Sequence, residues 1–102
     1  MAKKAIQIHF KFDGSGADIE KSFADAAKPI IEHPGLKWKI WCWNEDSKEF
    51  CGEYIFENEE SVKAYLETPI MVEAQKHPSI SNVSVKSYDV MEGLTAVTKG
   101  PV

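Results

Sequence analysis

The chain contains no arginine. All twelve basic residues are lysine, against sixteen acidic ones, and the net charge is −4. Nucleic-acid partners are therefore not expected, because arginine supplies the bidentate contacts to phosphate and guanine. A carboxylate or phosphate clamp built from guanidinium forks is excluded on the same ground. Cysteine is scarce: Cys42 and Cys51 are the two present. No C-x-x-C or H-x-x-x-H spacing occurs, so no metal site is expected. The two thiols are close enough in sequence to meet across a hairpin as a disulfide, but buried free thiols suit a reducing compartment better. Long apolar runs are missing too, which excludes a membrane-spanning helix. The start, "MAKKAIQIHF", has two lysines but neither the apolar stretch nor the cleavage site of a signal peptide, so a cytoplasmic protein is expected. The few glycines do not make a nucleotide fingerprint. "DGSG" (13–16) has the wrong spacing for G-x-G-x-x-G or a P-loop. A helix start follows it, which leaves weak anion binding conceivable.

What is present is an ordinary globular composition. Hydrophobic residues make up 43% and charged residues 27% of 102 positions, enough for one core and one domain, here residues 1–102. "AIQIHFKF" (5–12) alternates strictly, with Ile6, Ile8, Phe10 and Phe12 on one face and Gln7, His9 and Lys11 on the other, so it reads as a strand. After the "DGSGAD" turn, Ile19, Phe23, Ala26, Ala27, Ile30 and Ile31 have helical spacing, with Pro29 expected to kink or end the helix. "LKWKIWCW" (36–43) and "FCGEYIFE" (50–57) are strands around the polar loop "NEDSKE" (44–49). Asn58, with Glu59 and Glu60 after it, starts a second helix. Thr68-Pro69 interrupts that helix, and 70–76 resumes it. "NVSVKSYDV" (82–90) is the fourth strand, and 91–102 has only weak periodicity.

The order β-α-β-β-α-β predicts an α+β, ferredoxin-like subunit, a four-stranded antiparallel sheet with helices on one face. That leaves a bare face. Yet the second strand is apolar on both, with Trp38, Ile40 and Cys42 on one side and Trp41 and Trp43 on the other. A second copy stacking its sheet on this one would cover the patch, so a homodimer is expected. Each tryptophan buries on the order of 200 Å², and at ~25 cal/mol per Å² two per subunit would contribute several kcal/mol before association costs.

The segments "IQIHFKF", "PGLKWKIW", "GEYIFENEESVKAYLE" and "VKSYDVMEGL" resemble the YdhR-type mono-oxygenases. These are small bacterial proteins of the dimeric α+β barrel superfamily. The resemblance runs over about residues 5 to 95 in the same element order. It implies a ferredoxin-like subunit whose sheet joins a second subunit's sheet as a barrel. The superfamily includes oxygenases that act on polycyclic phenols and quinols without metal, haem or flavin. It also includes haem-degrading enzymes and proteins without proven activity. The phenol oxygenases use an arginine in the site. This chain has none, so that part of their mechanism does not carry over.

Oxygenation without a cofactor requires a site that binds a flat ring, excludes water, removes one proton and stabilises the anion. No contiguous motif is needed. His9, internal to the first strand on its polar face, is the candidate base, since histidine titrates in the right range. The bland alternative is a hydrogen-bonded sheet residue. His33 and His77 precede prolines in turns and read as structural. Trp38, Trp41 and Trp43 are candidates to line a substrate pocket, against plain core or dimer packing. Tyr54 and Tyr65 are candidates to present hydroxyls between sheet and helix, against ordinary core burial. Glu53 and Asp89 lie in strands at an edge or in solvent, and Asn44 reads as a turn residue. No cofactor and no metal ligand is expected. The competing function is a non-catalytic dimeric binding protein for an apolar small molecule, which the missing arginine favours.

Overall fold

The computed structural model describes residues 3–100. Four strands, β1 (Lys4–Phe12), β2 (Leu36–Asn44), β3 (Glu49–Phe56) and β4 (Ile80–Asp89), form one antiparallel sheet in the order β2-β3-β1-β4. The helices are α1 (Gly16–Phe23), α2 (Ala27–Ile31), α3 (Glu59–Leu66), α4 (Pro69–Lys76) and α5 (Glu92–Val97). This is the ferredoxin-like α+β arrangement that the element order predicts. No helix among the described residues is long and apolar enough to cross a membrane.

The period of two decides which side is core. In β1 the predicted apolar face is buried throughout, with Ile6, Ile8, Phe10 and Phe12 all below a tenth exposed. The same face of β3 carries Tyr54 and Phe50, registered with Ile6 and Phe10, and Phe56 opposite Lys4, all three buried. Ile19 of α1, Ile30 of α2, Val62 and Tyr65 of α3 and Met71 of α4 close over this face. Each such side chain is worth roughly 1.5–3 kcal/mol when fully buried. The opposite face carries Gln7, His9, Ile40, Cys42, Cys51 and Glu53, and the short helix α5 meets it at one end, beside Ala5, Trp38 and Ile55.

Caps and breakers set the element ends. Ser15 Oγ accepts from the Asp18 amide at 3.2 Å while the Asp18 carboxylate accepts from the Ser15 amide at 2.9 Å, a complete capping box. Asn58 Oδ1 caps α3 by accepting from the Ser61 amide at 2.9 Å. Pro69 opens α4 at its first turn, where a missing N–H costs nothing. Asn44 is the turn residue it was expected to be, its Oδ1 accepting from the amides of Asp46 and Ser47.

Strand ends shift from the sequence reading by a residue or two, and two helical regions differ by more. The first helical region does not run on to a kink at Pro29. It breaks earlier, at residues 24–26, and α2 starts afresh at Ala27. Pro29 then falls in the first turn of α2, where no amide has an intrahelical partner to lose. The tail, read as weakly periodic, contains α5.

Candidate active site between sheet and helices

β2 is an edge strand, and its pleat sends Lys39, Trp41 and Trp43 to the helix side and Trp38, Ile40 and Cys42 to the open side. Of these inward-facing residues, Lys39 and Trp41 border an apolar cavity of about 40 Å³ beneath α1–α4, walled by Phe10, Phe50, Tyr54, Tyr65, Met71 and Trp41. Among the described residues no carboxylate lines it. Two open grooves, of about 350 and 280 Å³, reach the same region from solvent. One runs between α2 and β2 and the other between α1 and β2, and Trp41 borders both. Trp41, 37% exposed, is thus the wall between solvent and the inner cavity.

The cavity wall is a connected aromatic surface. Phe10 and Phe50 stack at 4.7 Å between centroids, and Trp41 meets Phe50 edge-on at 6.0 Å. Tyr54 and Tyr65 lie 5.2 Å apart and share a hydrogen bond of 3.1 Å between their hydroxyls. Burial raises the ionisation of both phenols above its ordinary range, so both are neutral donors at physiological pH.

Lys39 was not singled out by the sequence. It is half-buried, with Nζ 3.4 Å from the centre of the Trp41 ring and 4.6 Å from that of Tyr54. Among the described residues no carboxylate forms an ion pair with it. Burial pushes its ammonium down to about 7. Gly52, opposite Trp41 in the register, makes room for this arrangement. A β-carbon there would stand 3.2 Å from the Tyr54 hydroxyl and 3.3 Å from Lys39 Cε. The signal was present in the alternation of "LKWKIWCW", where Lys39 shares the face of Trp41 and Trp43, but sequence alone does not say which face the helices cover.

The other candidates separate. Trp41, Tyr54 and Tyr65 line the cavity. Trp43 shares their face but lies at the end of the strand, edge-on to Phe12, with its indole N–H donating to the Glu45 carboxylate at 2.9 Å. Glu45 also accepts from Lys48 and from the Gly16 amide, and these donors hold its carboxyl down at about 2. Trp43 thereby ties the β2–β3 hairpin to the start of α1. Trp38 lies on the open face, beside α5. His9 also lies on the open face, in register with Cys51, its Nε2 3.5 Å from the Cys51 sulfur, and shares no face with the cavity. Cys42 pairs in register with Cys51, and both are free thiols. Burial and the Glu53 carboxylate push the Cys51 thiol up, the opposite of an activated nucleophile. His33 donates from Nε2 to the Ser61 carbonyl, and His77 Nδ1 accepts from the Ser79 amide, so both do structural work. Glu53 accepts from Gln7 on the open face, and Asp89 pairs with Lys4. Among the described residues no three His, Cys, Asp or Glu side chains converge as a metal site would require.

Solved structures share this fold. SnoaB, a cofactor-independent oxygenase from Streptomyces nogalater, superposes with a TM-score of 0.71 at 15% identity, over 88% of this chain and 94% of its own. A protein from Deinococcus radiodurans described as a "putative antibiotic biosynthesis monooxygenase" gives 0.71 at 12% identity, over 85% and 91%. A protein of unknown function from Nitrosomonas europaea gives 0.73 at 16% identity, over 89% and 91%. At these identities the likeness is one of fold. Comparison with the curated proteins returns no match. Residues 5–101, nearly the whole chain, match the family described as "Putative mono-oxygenase ydhR", and the chain belongs to that family.

Proposed function

We propose that this protein is a mono-oxygenase that needs no cofactor and acts on a small aromatic or polycyclic phenol or quinol held between the sheet and the helices. The observation that carries the reading is the cavity, an apolar chamber with aromatic walls, no carboxylate, and hydroxyls at Tyr54 and Tyr65. Membership of the mono-oxygenase family supports the reaction class. The description of SnoaB as a cofactor-independent oxygenase on the same fold supports the absence of a cofactor.

Ground-state oxygen is a triplet and reacts slowly with closed-shell molecules. An aryloxide or enolate can pass it one electron, after which the two radicals combine. In the simplest balanced case the aryl hydroxyl is the enol of a cyclic ketone, and the ring carbon that is CH2 in the ketone becomes C=O. One oxygen atom enters the product, the other leaves as water, and the CH2 carbon supplies all four electrons. The protein's work is to bind the ring, exclude water, take one proton and hold the anion. Trp41, Tyr54 and Tyr65 are the ring-binding residues in this reading. The resting cavity is smaller than a ring, so in this reading it must widen toward the grooves that Trp41 borders before a substrate fits.

We further infer a homodimer in which a second copy covers the open sheet face. The residues behind this inference are not Trp41 and Trp43, which face the helices, but Trp38, Ile40, Tyr88, Met91 at the start of α5 and Leu94 within it. Ile40, Tyr88, Met91 and Leu94 are all about half exposed or more.

The deciding experiment is oxygen uptake by purified, metal-stripped protein against anthrones, quinols and polyphenols, followed on an electrode. The expected result is saturable, protein-dependent uptake with a quinone or hydroxylated product. Uptake no faster than autoxidation, for compounds shown to bind, would replace the enzyme with a binding protein for apolar aromatics.

A further inference from the structure

Among the described residues Lys39 is the one cation in the lining of the inner cavity. Its Nζ hangs over Trp41 at 3.4 Å and near Tyr54 at 4.6 Å, in contact with ring faces and with no carboxylate. Ring faces stabilise an ammonium weakly compared with water or a carboxylate. A substrate oxygen entering the cavity would be a better partner than the rings.

The tyrosine pair adds a second group. Two hydroxyls carry two protons, and the bond between Tyr54 and Tyr65 uses one of them. Among the described residues no acceptor takes the other. That proton is free to donate to a ligand oxygen. The Tyr54 hydroxyl and Lys39 Cε both lie within 3.3 Å of the point where a Gly52 β-carbon would stand, so the free donor and the amine serve the same corner of the cavity.

We propose that Lys39 is the base of this site: its amine accepts the proton of an aryl hydroxyl seated against Trp41 and Tyr54, and the ammonium so formed holds the aryloxide in the cavity. The inference deepens the oxygenase reading and rests on it for the use of the anion. The step is a single proton transfer, ArOH and RNH2 giving ArO− and RNH3+, with no redox change. The free tyrosine proton then bonds the same aryloxide oxygen. The pair selects hydroxyarenes acidic enough to transfer a proton to an amine. It also supplies the positive charge that an arginine-free chain must find elsewhere. The desolvation that lowers the amine's affinity for protons keeps it unprotonated in much of the empty protein at mildly alkaline pH.

The ionisable groups around Lys39 are few. Tyr54 of β3 and Tyr65 of α3 line the same cavity, Lys28 of α2 lines one outer groove and Glu20 of α1 the other. β1, β4 and α4 contribute no ionisable side chain to the lining.

The test uses 4-nitrophenol, whose visible band appears only when it is ionised and which does not consume oxygen. Whole protein is titrated with it over a pH series that spans the probe's own ionisation, so that the Lys39 amine is sampled both protonated and free. Binding is followed separately by quenching of tryptophan fluorescence. The expected result is that bound probe is ionised at least about tenfold more than free probe, a shift of one pKa unit or more. Lys39→Met should still bind the probe but leave it neutral, and Lys39→Leu, of different shape, should do the same. His9→Ala should ionise it as the wild type does. Bound probe that stays neutral in the wild type, absence of binding, or ionisation that survives in both Lys39 variants would overturn the proposal. The two readings fail separately. Ionised probe without oxygen uptake on anthrones removes the oxygenase and leaves Lys39 as an anion-binding base. Uptake undiminished in Lys39→Met removes Lys39 and leaves the oxygenase.

Discussion

Placing a lysine against Trp41 and Tyr54 has a thermodynamic consequence independent of any substrate. In the unfolded chain Lys39 titrates at its ordinary 10.5, and in the folded protein burial brings it to about 7. Between these values the unfolded state binds more protons, so this group makes stability rise with pH. Below about 7 both states are protonated and the folded protein bears the full cost of the buried charge. Lys39→Met removes that cost and keeps an unbranched apolar chain of similar length. Thermal melts of wild type and variant at about pH 6 and about pH 9 should show the variant more stable at the lower pH, with the gain shrinking at the higher. A difference of several degrees is expected, since about 1 kcal/mol corresponds to about 4–8 °C in a domain of this size. Equal gains at both pH values would mean that the ammonium is solvated in the folded state. Residue identity alone did not mark Lys39. A lysine in an alternating strand is ordinarily a solvent-side residue, whereas His9 drew attention through its titration range. The decisive fact was the side of the sheet, which no single residue encodes.

At the scale of elements, the sequence was most legible where one period and one punctuation mark agreed. β1 alternates without a break and is buried as its alternation requires. Asn58 caps the helix it was expected to start. The reading was weakest where a proline admits two explanations. Pro29 suits a kink in a long helix or the first turn of a short one, and only packing chose the second. The connection after α2 shows a constraint that sequence reading registers merely as a turn. Gly35 has a φ of +88° and its carbonyl accepts the Glu57 amide at 2.7 Å, joining the entry to β2 with the exit from β3. A β-carbon at Gly35 would stand 2.0 Å from Ser61 Oγ, in the first turn of α3. Gly35→Ala therefore meets both the left-handed backbone penalty and a hard overlap. We expect a loss of at least about 2 kcal/mol, read as a lower urea midpoint with unchanged slope. A loss under about 0.5 kcal/mol, the range of ordinary surface substitutions, would mean that the connection re-forms with α3 displaced.

For the whole molecule, the question is what the open face does. The apolar character of β2 on both sides was visible in "LKWKIWCW". The structure divides it, giving Lys39, Trp41 and Trp43 to the helix side and Trp38, Ile40 and Cys42 to the other. The open face is not uniformly apolar, since Gln7, His9 and Glu53 run through its middle, with Gln7 and Glu53 hydrogen-bonded to each other at 3.1 Å. Apolar flanks around a polar strip suit a self-complementary interface better than they suit water, because a two-fold axis brings the same patch to itself. Burying Ile40, Tyr88, Met91 and Leu94 in both copies would contribute several kcal/mol at about 25 cal/mol per Å², enough to matter after association costs. Light scattering after gel filtration at micromolar concentration should give twice the chain mass. Ile40→Glu puts a carboxylate at the centre of the apolar flank, beyond the reach of α5, and should shift the protein to monomer without unfolding it. Ile40 points away from the cavity, so the monomer should still ionise 4-nitrophenol on Lys39. A monomeric wild type would remove the dimer inference. A monomeric variant that has lost ionisation would show instead that the second copy shapes the cavity through β2, the strand that bears Ile40 on one face and Lys39 on the other.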